Sequence, residues 1–169
     1  MAARLKHVDP DRGAGWLSRA SASFAATRLG RFLSIHVLWK VDPWLMRVTG
    51  GRVGMGIGVP TALLETTGAR SGEPRRNAVI YFHDGERVTI VASKLGLDHH
   101  PAWFHNLRAH PEVTLAGIPM RATVVEDEAE RERIWVLADR VFAPYAVYRR
   151  EAAESGRTIP IVQLHPVAS

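Results

Sequence analysis

From Thr61 onward apolar and polar residues alternate along the chain, and the alternation predicts strands over 61–67, 77–82 and 87–93. Asp84-Gly85 separates the last two, a dipeptide that favours a tight hairpin. After a polar loop, residues 101–107 have helix-start chemistry, with proline at an early position, and Pro111 ends the segment. Two further strands are predicted over 113–116 and 120–125, across a turn at Gly117. Asp127 or Glu126 then caps a helix over 130–141, in which Ile134, Leu137, Ala138 and Val141 recur at helical spacing. A short helix over 144–152 and a closing strand over 159–164 complete the pattern. A doubly wound sheet would alternate strand and helix throughout, whereas here six short strands come with helices placed late. The order predicts a small antiparallel barrel, an α+β fold in which β dominates.

Upstream of this body the pattern changes. Gly50-Gly51, Gly54, Gly56, Gly58 and Pro60 mark a flexible passage, so residues 1–60 are expected to form a helical extension with a glycine-rich linker and 61–169 the folded barrel. The spacing of Gly54, Gly56 and Gly58 superficially suits a dinucleotide loop, but that loop must follow a strand and open a helix, and here the next segment is another strand. A length of 169 residues buries a real core in one domain, and no internal repeat is present.

Charge is uneven along the chain. Residues 1–60 hold nine Lys/Arg against three Asp, 9 − 3 = +6, and the remainder holds 13 basic against 14 acidic side chains, or −1. The basic third also carries Trp16, Trp39 and Trp44, and its apolar run over 32–39 is far short of the ~20 residues that span a bilayer. Neither a transmembrane helix nor a signal peptide is expected. Tryptophan interleaved with basic residues suits two placements of residues 1–45: packing on the barrel, or peripheral contact with an anionic membrane face. Nucleic acid is excluded as a partner, since the basic third shows no recognition motif and the rest is not basic. The chain has no cysteine, which removes disulfides, thiolate metal sites and cysteine nucleophiles and points to the reducing cytoplasm.

The densest chemistry lies in Thr67-Gly68-Ala69-Arg70-Ser71-Gly72-Glu73-Pro74-Arg75-Arg76, between two strand-like runs. Glycine lets successive N–H groups converge, Ser71 offers a hydroxyl, and arginine presents a planar fork to phosphate or carboxylate oxygens. An anion site and a polar hairpin with chance arginines both fit these residues. His99, His100, His105 and His110 cluster in sequence, but no carboxylate is spaced with them as a ligand set, and no metal is expected. Nothing places Ser71 or Ser93 against a histidine as hydrolysis requires. Tyr145 and Tyr148, three apart on a helix, suit either a packed edge or a pocket wall.

Three segments carry a family resemblance. They are Thr66-Thr67-Gly68-Ala69-Arg70-Ser71-Gly72-Glu73-Pro74-Arg75-Arg76; Val91-Ala92-Ser93-Lys94 with His100-Pro101-Ala102-Trp103-Phe104-His105-Asn106-Leu107; and Pro144-Tyr145-Ala146-Val147-Tyr148 with Arg157-Thr158-Ile159-Pro160-Ile161-Val162. In order and spacing, residues 62–166 resemble the deazaflavin-dependent nitroreductases and quinone reductases. These are oxidoreductases that use reduced 8-hydroxy-5-deazaflavin, coenzyme F-420, and fold as a split β-barrel related to barrels that bind flavin mononucleotide. The resemblance implies that Arg70, Ser71, Gly72 and Arg75 hold the coenzyme's acidic tail. Asn77, Ala78, Val79 and Ile80 would line the flat ring, with Ser93, Lys94, Ala102, Trp103 and Asn106 closing the same groove. It further implies hydride transfer to a planar apolar electrophile, namely a quinone, nitroaromatic or activated alkene, with Ser93, Tyr145 and Tyr148 as the catalytic group and a homodimer as the assembly. Two rivals stand beside it: a flavin mononucleotide enzyme in the same barrel, and a non-catalytic module that holds the coenzyme or a lipid. The sequence departs from the family at Ala78, where proline is common, and at Phe142, where nitro-reducing members carry a tyrosine.

Overall fold

The computed structural model describes residues 5–12 and 59–167. Six strands, β1 (Thr61–Thr67), β2 (Pro74–Asp84), β3 (Arg87–Val91), β4 (Glu112–Leu115), β5 (Ile118–Val124) and β6 (Ile161–Pro166), close into a barrel in the order β1-β2-β3-β6-β5-β4. Every neighbouring pair is antiparallel, and β1 meets β4 through Leu64↔Leu115 and Glu65↔Thr114. Closure leaves no open sheet edge. Helices α1 (Ala102–Ala109), α2 (Glu128–Val141) and α3 (Tyr145–Glu154) complete an α+β fold, the expected class. Among the described residues no helix is long and apolar enough to cross a membrane.

Local chemistry accounts for the elements. In β1 the inward residues Ala62, Leu64 and Thr66 alternate with half-exposed ones, the period of a strand with one wet face. The β2–β3 hairpin turns at Gly85, whose φ of +61° admits glycine without strain. The cap of α2 is Asp127, whose carboxylate accepts from the Glu130 N–H at 2.8 Å. Ile134, Ala138 and Val141 from the same helix are buried, while Leu137 is only half-buried.

Two cores follow from this layout. One fills the barrel with Leu64, Val79, Ile90, Leu115, Val162 and Leu164, and α1 adds Trp103, Phe104 and Leu107 to it. The other lies between the outer face of β2, β3 and β6 and helices α2 and α3, and contains Phe82, Val91, Ile134, Trp135, Tyr145, Tyr148 and Ile161. β3 is therefore buried on both faces from Val88 to Val91.

Several boundaries differ from the sequence reading by a few residues. β2 begins at Pro74, not at 77, because pairing with β1 continues through Thr66↔Arg75 and Thr67↔Pro74, so Arg75 and Arg76 sit on a strand. β3 ends at Val91 rather than 93, because the chain turns at Ser93 into an αR conformation. β6 starts at Ile161 instead of 159. Most of the predicted extension lies outside the described residues. The part that is described, 5–12, is irregular apart from one 3-10 turn, Pro10–Arg12.

That segment is strapped to β2. The Val8 N–H donates to His83 Nδ1 at 3.1 Å, the His83 N–H donates to the Val8 carbonyl at 2.9 Å, and the Tyr81 hydroxyl donates to the Lys6 carbonyl at 2.9 Å. Arg140 also pairs with Asp11. As an acceptor, His83 Nδ1 must be unprotonated. Burial, with the His7 ring 4.3 Å away, holds His83 below the ordinary histidine value. Because the lowered value belongs to the docked state, the released state binds the proton more tightly, so docking is strongest above about pH 6.5 and weakens as pH falls below it. Hydrogen exchange, corrected for intrinsic rate, is expected to show the Val8 amide protected at pH 7.5 and substantially less so at pH 5; equal protection at both would refute the latch.

Candidate functional site

The arginine-bearing turn is built by its own backbone. The Gly68 N–H donates to the Glu73 carbonyl at 2.8 Å and the Gly72 N–H to the Gly68 carbonyl at 2.9 Å, with Gly72 at φ +68°. Ser71 Oγ accepts from the Glu73 N–H at 3.3 Å and from Arg75 Nη2 at 3.4 Å. Arg76 is taken by Glu65, which also accepts from the Thr114 hydroxyl at 2.9 Å. Arg70 and Arg75 are exposed, and no described carboxylate lies within ion-pair distance of either. Two guanidiniums with no ion-paired carboxylate among the described residues therefore share one hairpin.

Asn106 fixes this hairpin to α1. Its Oδ1 accepts from the Ala69 N–H at 3.0 Å and its Nδ2 donates to Thr66 Oγ1 at 3.0 Å, with Asn106 and Thr66 both buried. The sequence reading put Asn106 in the groove wall. Its side-chain amide is instead occupied in anchoring the loop.

The second polar feature is the turn that follows β3. Ser93 is αR (φ −68°, ψ −41°), and Lys94, Leu95 and Gly96 follow at φ +45°, +58° and +77°. For two side chains other than glycine, such backbone costs on the order of 1–3 kcal/mol each. The αR-to-αL step turns consecutive N–H groups toward one concavity, the arrangement that holds anionic or carbonyl oxygens. No described group accepts from the N–H of Ser93, Lys94 or Leu95. Burial and the neighbouring Arg157 hold the Lys94 amine below its usual range.

Arg157, which the sequence reading left without a role, holds the turn. Its side chain is buried and donates to the carbonyls of Ala92, Leu97 and Ser93, the last at 3.0 Å, and through Nε to His100 Nδ1 at 3.0 Å. No described carboxylate lies within ion-pair distance of it. No periodicity marks it, because a charged residue in a short connection reads as solvent-facing until the fold encloses it. The His100 ring also packs, tilted, against Phe104 of α1 with centroids 5.0 Å apart, so α1 is linked to the 92–97 turn as well as to the arginine hairpin.

The remaining predicted residues are spread around these features. Asn77, Ala78 and Ile80 are half-buried on β2 and Val79 points into the barrel. Ala102 is exposed at the start of α1 and Trp103 is packed in the barrel core. Tyr145 and Tyr148 are each 2% exposed, with Phe142 edge-on to Tyr145 at 5.1 Å and Trp135 at 6.1 Å. Burial raises the Tyr145 hydroxyl far above its usual value. The packed-edge alternative thus describes both rings, which offer no open face for a substrate to stack on. The main chain of Tyr148 does reach the turn: a Cβ on Gly96 would lie 3.0 Å from Tyr148 Cα.

Comparison with known proteins bears on this arrangement. The profile described as F420H(2)-dependent quinone reductase matches residues 39–166. The F420H(2)-dependent quinone reductase Rv1261c of Mycobacterium tuberculosis is 34% identical over 146 residues, 80% of this chain and 97% of the relative. Among solved structures, an F420-H2 dependent reductase (FDR-A) aligns with a TM-score of 0.54 at 33% identity, covering 65% of this chain and 100% of its own. A structure described as a domain-swapped dimer aligns with a TM-score of 0.55 at 29% identity, covering 73% and 98%. Nitroreductase is the broader name for the group that the sequence resembles, and these relatives narrow it. The chain belongs to the F420H(2)-dependent quinone reductase family and is an oxidoreductase.

Proposed function

We propose that this chain binds reduced coenzyme F-420 between the arginine hairpin and the 92–97 turn and uses it to reduce a quinone or a similar planar apolar acceptor. The observation that carries this reading is the pair Arg70 and Arg75, without an ion-paired carboxylate among the described residues, on a hairpin that Asn106 ties to α1. A multiply acidic tail is the ligand such a pair suits, since each guanidinium makes charge-assisted contacts with carboxylate or phosphate oxygens. The residues also fit the ring end, because the amides of Ser93, Lys94 and Leu95 converge without described acceptors and half-buried Ala78 and Ile80 offer apolar contact. When bound, the reduced coenzyme supplies hydride to a two-electron acceptor.

What the chain itself contributes is position and polarity. The half-buried Ser93 hydroxyl sits beside the converging amides, where it can donate to an acceptor oxygen as charge develops on it. Tyr145 and Tyr148 enter this reading as the packed wall behind that turn rather than as exposed donors. The flavin mononucleotide rival is not favoured by relatives named for the reduced deazaflavin. Dimerisation is part of the proposal, supported by the similar structure described as a domain-swapped dimer. So is peripheral membrane contact by the basic, tryptophan-bearing 1–45 segment, which would bring the enzyme to a lipid-soluble acceptor from the cytoplasmic side.

Fluorescence titration with the oxidised coenzyme tests the reading before any acceptor is chosen. The native protein is expected to show saturable binding, and the Arg70→Ala/Arg75→Ala variant to weaken it on the order of tenfold to a hundredfold. Turnover at saturating coenzyme should change little. Unchanged affinity in the double variant would contradict the hairpin assignment.

A further inference from the structure

We propose that Arg157 is a positioning residue for coenzyme binding, its enclosed guanidinium holding the 92–97 turn so that the amides of Ser93, Lys94 and Leu95 face the ligand together. The inference rests on the reading above and assigns a residue that the hairpin and strand motifs leave without a task.

Peptide planarity links the two sides of the turn. In a trans peptide the carbonyl of one residue and the N–H of the next point in opposite directions. Arg157 accepts no choice here: its two terminal nitrogens donate to the carbonyls of Ala92 and Ser93, and those same peptides carry the N–H groups of Ser93 and Lys94. Both N–H groups are therefore turned away from the guanidinium. The third amide, that of Leu95, shares its peptide with the Lys94 carbonyl, which accepts from the Leu97 N–H at 3.1 Å. The Leu97 carbonyl returns to Arg157, closing the turn from its far end.

The geometry also says why arginine is needed. Four acceptors from Ala92, Ser93, Leu97 and His100 surround one planar group, and only a guanidinium, with five N–H donors in a fixed fork, serves them all at once. An ammonium puts its three donors on one atom and cannot reach acceptors on both flanks. A buried cation that no described carboxylate pairs with directly, Asp98 acting on it only from farther off, is a poor device for stability alone. Its presence under a strained, outward-facing row of amides is accounted for if those amides do work on a ligand, and an electron-rich oxygen of the coenzyme is the partner they suit.

Hydrogen exchange and fluorescence titration with the oxidised coenzyme test the proposal in the native protein and in Arg157→Lys and Arg157→Ala. In the native protein, coenzyme binding should slow exchange at the Ser93, Lys94 and Leu95 amides. In Arg157→Lys, affinity should fall at least about tenfold, with KM for the coenzyme rising and kcat at saturation preserved within about threefold. Millimolar guanidinium added to Arg157→Ala should restore part of the affinity, a rescue that a general loss of stability would not show. The proposal is overturned if the three native amides gain no protection on binding, or if Arg157→Lys binds as the native protein does. Failure of the native protein itself to bind coenzyme would instead overturn the proposed function.

Discussion

Replacing Gly96 with alanine is expected to lower the melting temperature by roughly 10 °C and to weaken coenzyme binding with it. Two costs combine at this position. The backbone sits at φ +77°, which an L side chain occupies at about 1–2 kcal/mol. The added Cβ would then lie 3.0 Å from Tyr148 Cα, 3.1 Å from the Tyr148 carbonyl oxygen and 2.8 Å from Glu151 Oε2. The carboxylate can swing aside, but the α3 backbone cannot, so the turn or the helix must shift, at a further cost of about 1–3 kcal/mol. Gly156 provides the control, because its φ of +74° is similar and nothing lies within 4 Å of its added Cβ. Gly156→Ala should therefore show only the backbone share of the loss and leave coenzyme affinity intact. Equal melting temperatures for the two variants would mean that the turn is not seated against α3.

The strands were legible wherever one face is wet. Ala62, Leu64 and Thr66 alternate with half-exposed neighbours, and the six-strand order with late helices suffices to reject a wound sheet in favour of a barrel. Pattern failed for two physical reasons. Where both faces are covered, as at Val88 to Val91, alternation vanishes and the end of the strand is set by the Arg157-held turn, which is distant in sequence. Where both faces are exposed, as at Pro74 to Arg76, charged residues give no period, so a strand reads as a loop. The candidate site divides in the same way. Arg70 and Arg75 announce themselves by composition, but the groups that hold their surroundings in place are silent. Asn106 looks like any polar helix residue until its contacts with Ala69 and Thr66 appear, and Arg157 looks like a solvent-facing charge. The tyrosines mislead in the opposite direction: aromatic side chains three apart on a helix suit a pocket, yet α3 turns them into the second core beside Trp135 and Phe142.

Asn106 gives the second large effect, and two substitutions there separate architecture from electrostatics. Asn106→Leu keeps the branched outline but removes the acceptor for the Ala69 N–H and the donor to Thr66 Oγ1, leaving the buried Thr66 hydroxyl without its partner. Losing both bonds should cost about 2–4 kcal/mol and free the hairpin that carries Arg70, so that coenzyme affinity drops by more than the stability loss alone explains. Asn106→Asp preserves the shape, can still accept from Ala69, and lets the Thr66 hydroxyl rotate to donate, so the hairpin stays in place. A carboxylate held at the Ala69 N–H, in the hairpin that carries Arg70 and Arg75, would nevertheless oppose an acidic tail, and its repulsion is screened as ionic strength rises. The aspartate variant is therefore expected to melt closer to the native protein than the leucine variant does, yet to bind coenzyme weakly at low salt and less weakly, relative to the native protein, at high salt. Titrations across salt concentration, run beside thermal unfolding, read both quantities. A leucine variant that melts and binds like the native protein would show that the hairpin needs no anchor on α1. An aspartate variant whose affinity deficit ignores salt would show that the ligand's charge is not held at this hairpin.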